Sequence, residues 1–324
     1  MRRFNQSVWL GVLLVLFLNP AQADDRAAAT STANELGKVL ILEYHLIEKV
    51  ESRWGRSVEN FRKDLERLYQ AGYRTIGMGE YLDGKITIPA GTKPVILTFD
   101  DSSPGQFRYL LRDGKPETDP DCAVGILLEF GKRHPDFGHN AIFFVLPEAK
   151  QPHKLFGQPE FEVQKLKELV SEGFEIGNHT LWHANLGKYD AITVQKQLAL
   201  SVAAIQKRVP GYSIRSLALP FGVYPKDFNL AVSGSFDGTA YHHQAILKVA
   251  GGPAPSPFST SCDLLHLPRI QVPSSDLQHW LHYFETHPGE AFVSDGKAET
   301  VTFPKNLKPK FNASQFKSLR EDAY

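Results

Sequence analysis

The chain has 324 residues, 42% of them hydrophobic and 11% aromatic, enough to bury a large core; a disordered chain and a small disulfide-stapled scaffold are both excluded. Its 36 basic residues balance 36 acidic ones with no basic stripe, so no nucleic-acid partner held by phosphate neutralisation is expected. In chain order, Arg2 and Arg3 come first, then an apolar run from Val8 to Leu18 and the small-residue end Ala21-Gln22-Ala23. This pattern predicts a signal peptide over residues 1–23, cleaved after Ala23. The run is too short to span a bilayer and no Cys follows it to take a lipid. A secreted or periplasmic protein without a membrane anchor is expected.

Residues 24–36 read as a polar leader. After it, short apolar runs predict strands at Val39–Leu42, Tyr73–Ile76, Val95–Phe99, Ala141–Leu146, Phe174–Ile176, Ser216–Leu219, Ala245–Val249 and Ala291–Val293. Between them, helical spacing of apolar residues predicts helices over Val58–Ala71, Cys122–Lys132, Val163–Glu172 and Ala191–Val209. Strand and helix in alternation predict an α/β fold with a parallel sheet curled into a barrel. With no internal repeat, one domain over 37–304 is expected, followed by a surface tail over 305–324. Cys122 and Cys262 are the only cysteines and leave a disulfide open as an alternative to two separate thiols.

Asp100 and Asp101 end the run Val95-Ile96-Leu97-Thr98-Phe99 and lead into Ser102-Ser103-Pro104-Gly105, where a buried strand gives way to a loop. In a parallel barrel, that end of the strands is where sites are built. His179 and His183, in His-Thr-Leu-Trp-His, follow another strand end at a spacing that lets two imidazoles share a divalent metal. Thr180 in place of Glu excludes the metalloprotease helix motif. Together the two pairs offer an Asp/His/His ligand set with one carboxylate left over to act as a base. Zinc is the default metal for two nitrogens and an oxygen, with cobalt or nickel also suited. His45 ends the first strand and is a candidate pocket residue, whereas His242-His243 and the group His279, His282 and His287 are expected to face solvent.

The motifs Thr98-Phe99-Asp100-Asp101 and His179-Thr180-Leu181-Trp182-His183 resemble the first two motifs of the polysaccharide deacetylases, the NodB-homology group of carbohydrate esterases. Leu219-Pro220-Phe221-Gly222 is similar to their third motif, and Leu42-Glu43-Tyr44-His45 to the opening strand of longer members. The resemblance implies a single-domain, distorted (β/α) barrel with a metal on Asp101, His179 and His183. It also implies Asp100 as the base that takes a proton from the attacking water, and a substrate groove lined by Leu219, Pro220, Phe221 and Gly222. The implied activity is removal of acetyl groups from an N-acetylated polysaccharide, such as peptidoglycan or poly-N-acetylglucosamine. O-acetyl esterase action on xylan-like material and a glycan-binding protein without turnover are the alternatives. Two departures from the family pattern stand out. Ala218 occupies the position two residues before the motif-three Pro where many members carry Arg, and Arg269, in His266-Leu267-Pro268-Arg269-Ile270, resembles a variant in which a later strand end supplies that guanidinium. The family's Leu-x-His acid has its letters in Leu264-Leu265-His266 but not its place, so the general acid is unassigned.

Overall fold

A computed structural model describes Met1, residues 32–273 and residues 275–324 of the chain; the expected signal peptide, beyond Met1, lies outside the described residues. Eight short strands form the main sheet: β1 (Leu40–Tyr44), β2 (Tyr73–Thr75), β3 (Lys93–Phe99), β4 (Ile142–Val145), β5 (Glu175–Asn178), β6 (Ser216–Ala218), β7 (Ala245–Leu247) and β8 (Ile270–Gln271). Every pairing among them is parallel, in the order β7-β6-β5-β4-β3-β1-β8, with β2 beside the first half of β3. Leu267 bridges Leu247 at one end of that path, and three residues later Ile270 pairs with Leu42 at the other. The segment 267–271 therefore touches both ends of the sheet and curls it into the expected distorted barrel.

Side-chain alternation sorts the strands into two cores. Leu40, Leu42, Tyr44, Val95, Leu97, Phe99, Phe143, Val145, Leu217 and Ile246 belong to the core shared with the helices. Ile41, Ile96, Ile142, Phe144, Ala218, Ala245, Leu247 and Leu267 form a second core on the opposite, inner face. Both faces are covered, which is why Pro94-Val95-Ile96-Leu97-Thr98-Phe99 reads as a nearly unbroken apolar run.

The helices follow their sequence signals. Helix α1 (Val58–Gln70) starts at Ser57, whose side chain accepts from the Asn60 amide, and buries Phe61, Leu65 and Leu68. The short α2 (Met78–Asp83) was not apparent in the periodicity. Helix α3 (Ala123–Arg133) is capped by the Cys122 sulfur, and α4 (Glu162–Ser171) buries Leu166 and Leu169. Helix α5 (Ala191–Arg208) is capped by Asp190 and buries Val194, Leu198, Val202 and Ile205. Both cysteines are free: Cys122 caps α3, and Cys262 lies 3.4 Å from the Tyr81 hydroxyl.

Three expectations need correction. Ala291–Val293 makes only isolated bridges, to Lys38 and Asn34, instead of a strand. Residues 305–324 are not a loose surface tail: Arg320–Ala323 pairs in parallel with Thr300–Phe303, and Phe311 and Phe316 are buried in the inner-face core. Their apolar side chains are too few and too widely spaced to show a period, yet they find partners in that core. His243, expected to face solvent, is fully buried.

Candidate active site

Alternation along β1 and β3 decides what faces the barrel interior. Ile41 and Ile96 point inward, so Glu43, Thr98 and Asp100 follow on the same face at two-residue steps. Arg269 lies between Leu267, which packs inside, and Ile270, which packs outside, and it too points in. The Asp100 amide donates to the Tyr44 carbonyl at 2.9 Å, which extends the β1–β3 ladder by one residue and fixes where Asp100 sits. Asp101 and Ser102 then turn the chain with φ of 77° and 42°. That left-handed turn brings the second carboxylate to the same pocket as the first.

Arg269 is fully buried and uses all five of its N–H groups. Nη1 donates to Asp100 Oδ1 at 2.8 Å and to Thr98 Oγ1 at 3.0 Å, while Nη2 donates to Asp100 Oδ2 and Glu43 Oε1, both at 2.7 Å. Nε donates to the Lys248 carbonyl at 2.7 Å. Burial opposes charge on Asp100, but the guanidinium and the nearby His179 outweigh it and hold its pKa below the ordinary carboxylate value. Glu43 shares the same guanidinium, yet burial dominates there and pushes its carboxyl up. Arg215 is not part of this arrangement; it pairs with Asp83 at the surface.

Asp101 Oδ1 faces His179 Nε2 at 3.3 Å and His183 Nε2 at 3.4 Å, and one ligand atom from each of the three residues lies within 4.8 Å of the others. That oxygen is buried and makes no hydrogen bond within the protein. Two imidazole nitrogens and a carboxylate oxygen converging around an unsatisfied atom fit a divalent cation. Burial raises the Asp101 pKa less than the two histidines lower it, so its carboxylate is held ionised.

The imidazoles are aimed from behind. His179 Nδ1 lies 2.8 Å from the Ala218 carbonyl, a contact that places the proton on Nδ1 and leaves Nε2 free to ligate. On the opposite side of β5, Asn178 accepts from the Thr180 amide at 2.9 Å and meets His243 Nε2 at 3.1 Å. His243 in turn contacts the Ala231 carbonyl at 2.7 Å, and burial keeps it neutral with a pKa lowered to about 4. Thr180 and His183 both adopt φ of 68°, so the turn that returns His183 to the pocket is one the bulky side chains enter only under constraint. Burial, with His179 beside it, lowers the His183 pKa to about 4 and favours its neutral, ligating form.

The site opens into a cleft made of three adjoining cavities. One of about 530 Å³ is lined by Asp101, His183, Trp182, Leu146, Lys150 and His153 among others. A second of about 300 Å³ is lined by His45, Leu46, Trp54, Asp101, His153, His183, Phe221 and Val249. The third, about 520 Å³, continues past Leu46 and His153. Of the motif Leu219 to Gly222, Phe221 lines the cleft, Leu219 is buried in the core, Pro220 is buried, and Gly222 lies against Val249. His266 stacks on Phe228 and pairs with Asp263, away from the cleft. Sequence reasoning missed Glu43, His153 and Trp54; a lone acid inside the apolar Leu40–Tyr44 strand was the available signal for Glu43.

Residues 134–235 match the family model described as polysaccharide deacetylase, a span that includes His179, His183 and the Leu219–Gly222 motif. Over that span, about a third of its length, the chain is similar to the polysaccharide deacetylases. Chitooligosaccharide deacetylase from Bradyrhizobium sp. (strain ANU 289) is 28% identical over 153 residues, covering 47% of this chain and 57% of that protein. Its namesake from Sinorhizobium fredii (strain NBRC 101917 / NGR234) is 28% identical over 100 residues, covering 28% of this chain and 46% of the relative. The chain thus spans about half the length of these curated relatives. In fold it is similar to the Streptococcus pyogenes deacetylase PplD in complex with acetate, with a TM-score of 0.55, 19% identity and coverage of 76% of this chain and 97% of the other. IcaB from Ammonifex degensii gives a TM-score of 0.52 at 18% identity, covering 76% and 97%.

Proposed function

We propose that the protein is a metal-dependent hydrolase that removes acetyl groups from an N-acetylated glycan of the peptidoglycan or poly-N-acetylglucosamine type, acting in the periplasm or outside the cell. The observation that carries this reading is the juxtaposition of Asp100, clamped by Arg269, with the Asp101/His179/His183 cluster, of which Asp101 and His183 line the cleft. Asp101, His179 and His183 would hold a divalent ion, zinc by its donor set, which would supply the positive charge that polarises an acetyl carbonyl and acidifies water. Asp100 accepts the proton of the attacking water; the two hydrogen bonds from Arg269 fix its direction. His179 Nε2 lies 4.0 Å from Asp100 Oδ2, so base and ligand set serve one reacting centre.

His45 stands on the cavity wall with a ring nitrogen within 4.8 Å of the carboxylate oxygens of Glu43 and Asp100. That placement supports His45 as the group that hands a proton to the departing amine, the role the Leu-x-His pattern left unassigned. Phe221, exposed at the rim and 4.5 Å from the His183 ring, offers a face to the substrate. The catalytic domain takes in Asn34, Glu35 and Leu36, which bridge to it or pack in its inner-face core, as well as residues 305–324.

Acetate release measured side by side on N-acetylglucosamine oligomers, peptidoglycan and O-acetylated xylan tests the reading. Release from an N-acetylated substrate supports it. Release from xylan alone replaces it with an O-acetyl esterase, and glycan binding without release from any of the three replaces it with a binding protein.

A further inference from the structure

Trp54 is 41% exposed and Trp182 is 39% exposed, an unusual position for the largest apolar side chain. Both line the cleft, one in each of the two cavities that share Asp101, His153 and His183. The other described tryptophan, Trp280, is packed against the core away from the cleft. The cleft therefore carries one indole in each of two adjoining cavities that meet at Asp101, His153 and His183.

The segment that presents Trp54 is rigidly held. Arg56 is buried and donates to Asp64 at 2.6 and 2.8 Å and to Glu51 at 2.6 Å. Glu51 also accepts from the Ser57 amide at 2.8 Å and from Asn60 at 2.9 Å. The Trp54 carbonyl accepts from the Leu46 amide at 3.0 Å, and the Ser52 amide donates to the Gly55 carbonyl at 2.9 Å. A buried charge network of this kind costs desolvation, and here it fixes the backbone under one exposed ring. The indole lies 5.1 Å from His45 and has the Arg53 guanidinium 5.2 Å from its centroid. A preordered flat apolar face with a polar donor beside it suits the apolar face and ring hydroxyls of a pyranose, and little ordering entropy is left to lose on binding.

We propose that Trp54 forms a sugar-binding subsite next to the reacting residue, so that the protein engages a linear glycan extending through both of these cavities, with Trp182 in the second. The proposal rests on the deacetylase reading for the nature of the ligand. Trp54 is a specificity-determining residue for chain length.

The test is calorimetric binding of the N-acetylglucosamine dimer and hexamer to the zinc-loaded protein, comparing wild type, Trp54→Ala and Trp54→Phe, with acetate release followed in parallel. The expected result is tighter binding of the hexamer than of the dimer by wild type. Trp54→Ala should weaken the hexamer about ten-fold, with a smaller loss for the dimer, and Trp54→Phe should recover most of it. Equal losses for dimer and hexamer overturn the proposal, because they place the effect in the contact with His45 instead of a separate subsite. Equal or absent binding of the two lengths by wild type also overturns it. Binding with the expected length dependence but no acetate release rejects the deacetylase reading and leaves the subsite standing.

Discussion

Arg269 and Asp100 are 169 residues apart in sequence and joined by two parallel hydrogen bonds of 2.8 and 2.7 Å. The guanidinium arrives from the segment 267–271, which meets both ends of the sheet, so curling the barrel and holding the proposed base are done by the same five residues. Ala218, at the position where the family pattern places Arg, contributes its carbonyl to His179 instead.

Replacing Arg269 by Met leaves Glu43 and Asp100 buried without their cation. Unfolding by urea should show a loss of about 3–5 kcal/mol, and turnover should fall with it. Arg269→Lys keeps the charge but not the fork, so most of the activity should remain lost while part of the stability returns. Full activity in the Lys variant would show that the bidentate geometry is immaterial.

Asp100 and Asp101 should separate cleanly in zinc titrations. Asp100→Asn is expected to bind zinc nearly as wild type and to lose turnover by about 100-fold or more. Asp101→Asn and His179→Ala are expected to lose both, because each removes a proposed ligand. Equal loss of zinc in Asp100→Asn and Asp101→Asn would reverse the roles given to the two aspartates.

Glu35 lies far from the cleft, accepts from the Thr302 amide at 2.8 Å, and is pushed up from 4.5 to about 8, chiefly by burial. The folded state therefore keeps a proton that the unfolded chain releases above pH 4.5. Its contribution to stability is complete below that pH and is lost as pH rises towards 8. Glu35→Gln cannot release a proton, so denaturation midpoints measured from pH 4.5 to 8 should decline less in the variant than in wild type. Parallel declines would show that Glu35 titrates normally.

Gly177 precedes Asn178 and His179, and a Cβ there would lie 2.3 Å from two atoms of the Phe144 ring. Gly177→Ala should destabilise the fold by about 1–3 kcal/mol and weaken zinc binding by shifting β5. Adding Phe144→Leu makes room, so the double variant should recover zinc affinity relative to Gly177→Ala. A variant with unchanged stability and affinity would mean that β5 tolerates the shift without moving His179.

Seven of the eight predicted strands and all four predicted helices are present within a few residues, because the buried strands read as short apolar runs and the helices carry a clear 3.6-residue period. The two-residue β8 is too short to carry a period, yet it brings Arg269 to the site. The clustering of Asp101, His179 and His183 was readable because they sit at strand ends, where Asp100-Asp101 and His179 to His183 are local patterns. Glu43 and His243 were not, since each acts through partners distant in sequence: Glu43 meets Arg269 across the barrel, and His243 meets Asn178. Trp54 escaped notice for a related reason: its neighbours His45 and Phe221 come from separate loops.

The most direct test of the central claim is acetate release from N-acetylglucosamine hexamer by the purified protein after exhaustive chelation and again after zinc is restored, with Asp101→Asn as control. The account predicts that chelation abolishes release, that zinc restores it to wild type, and that zinc does not restore it to Asp101→Asn. Release that persists through chelation, or that Asp101→Asn retains, would contradict a metal centre built on Asp101, His179 and His183.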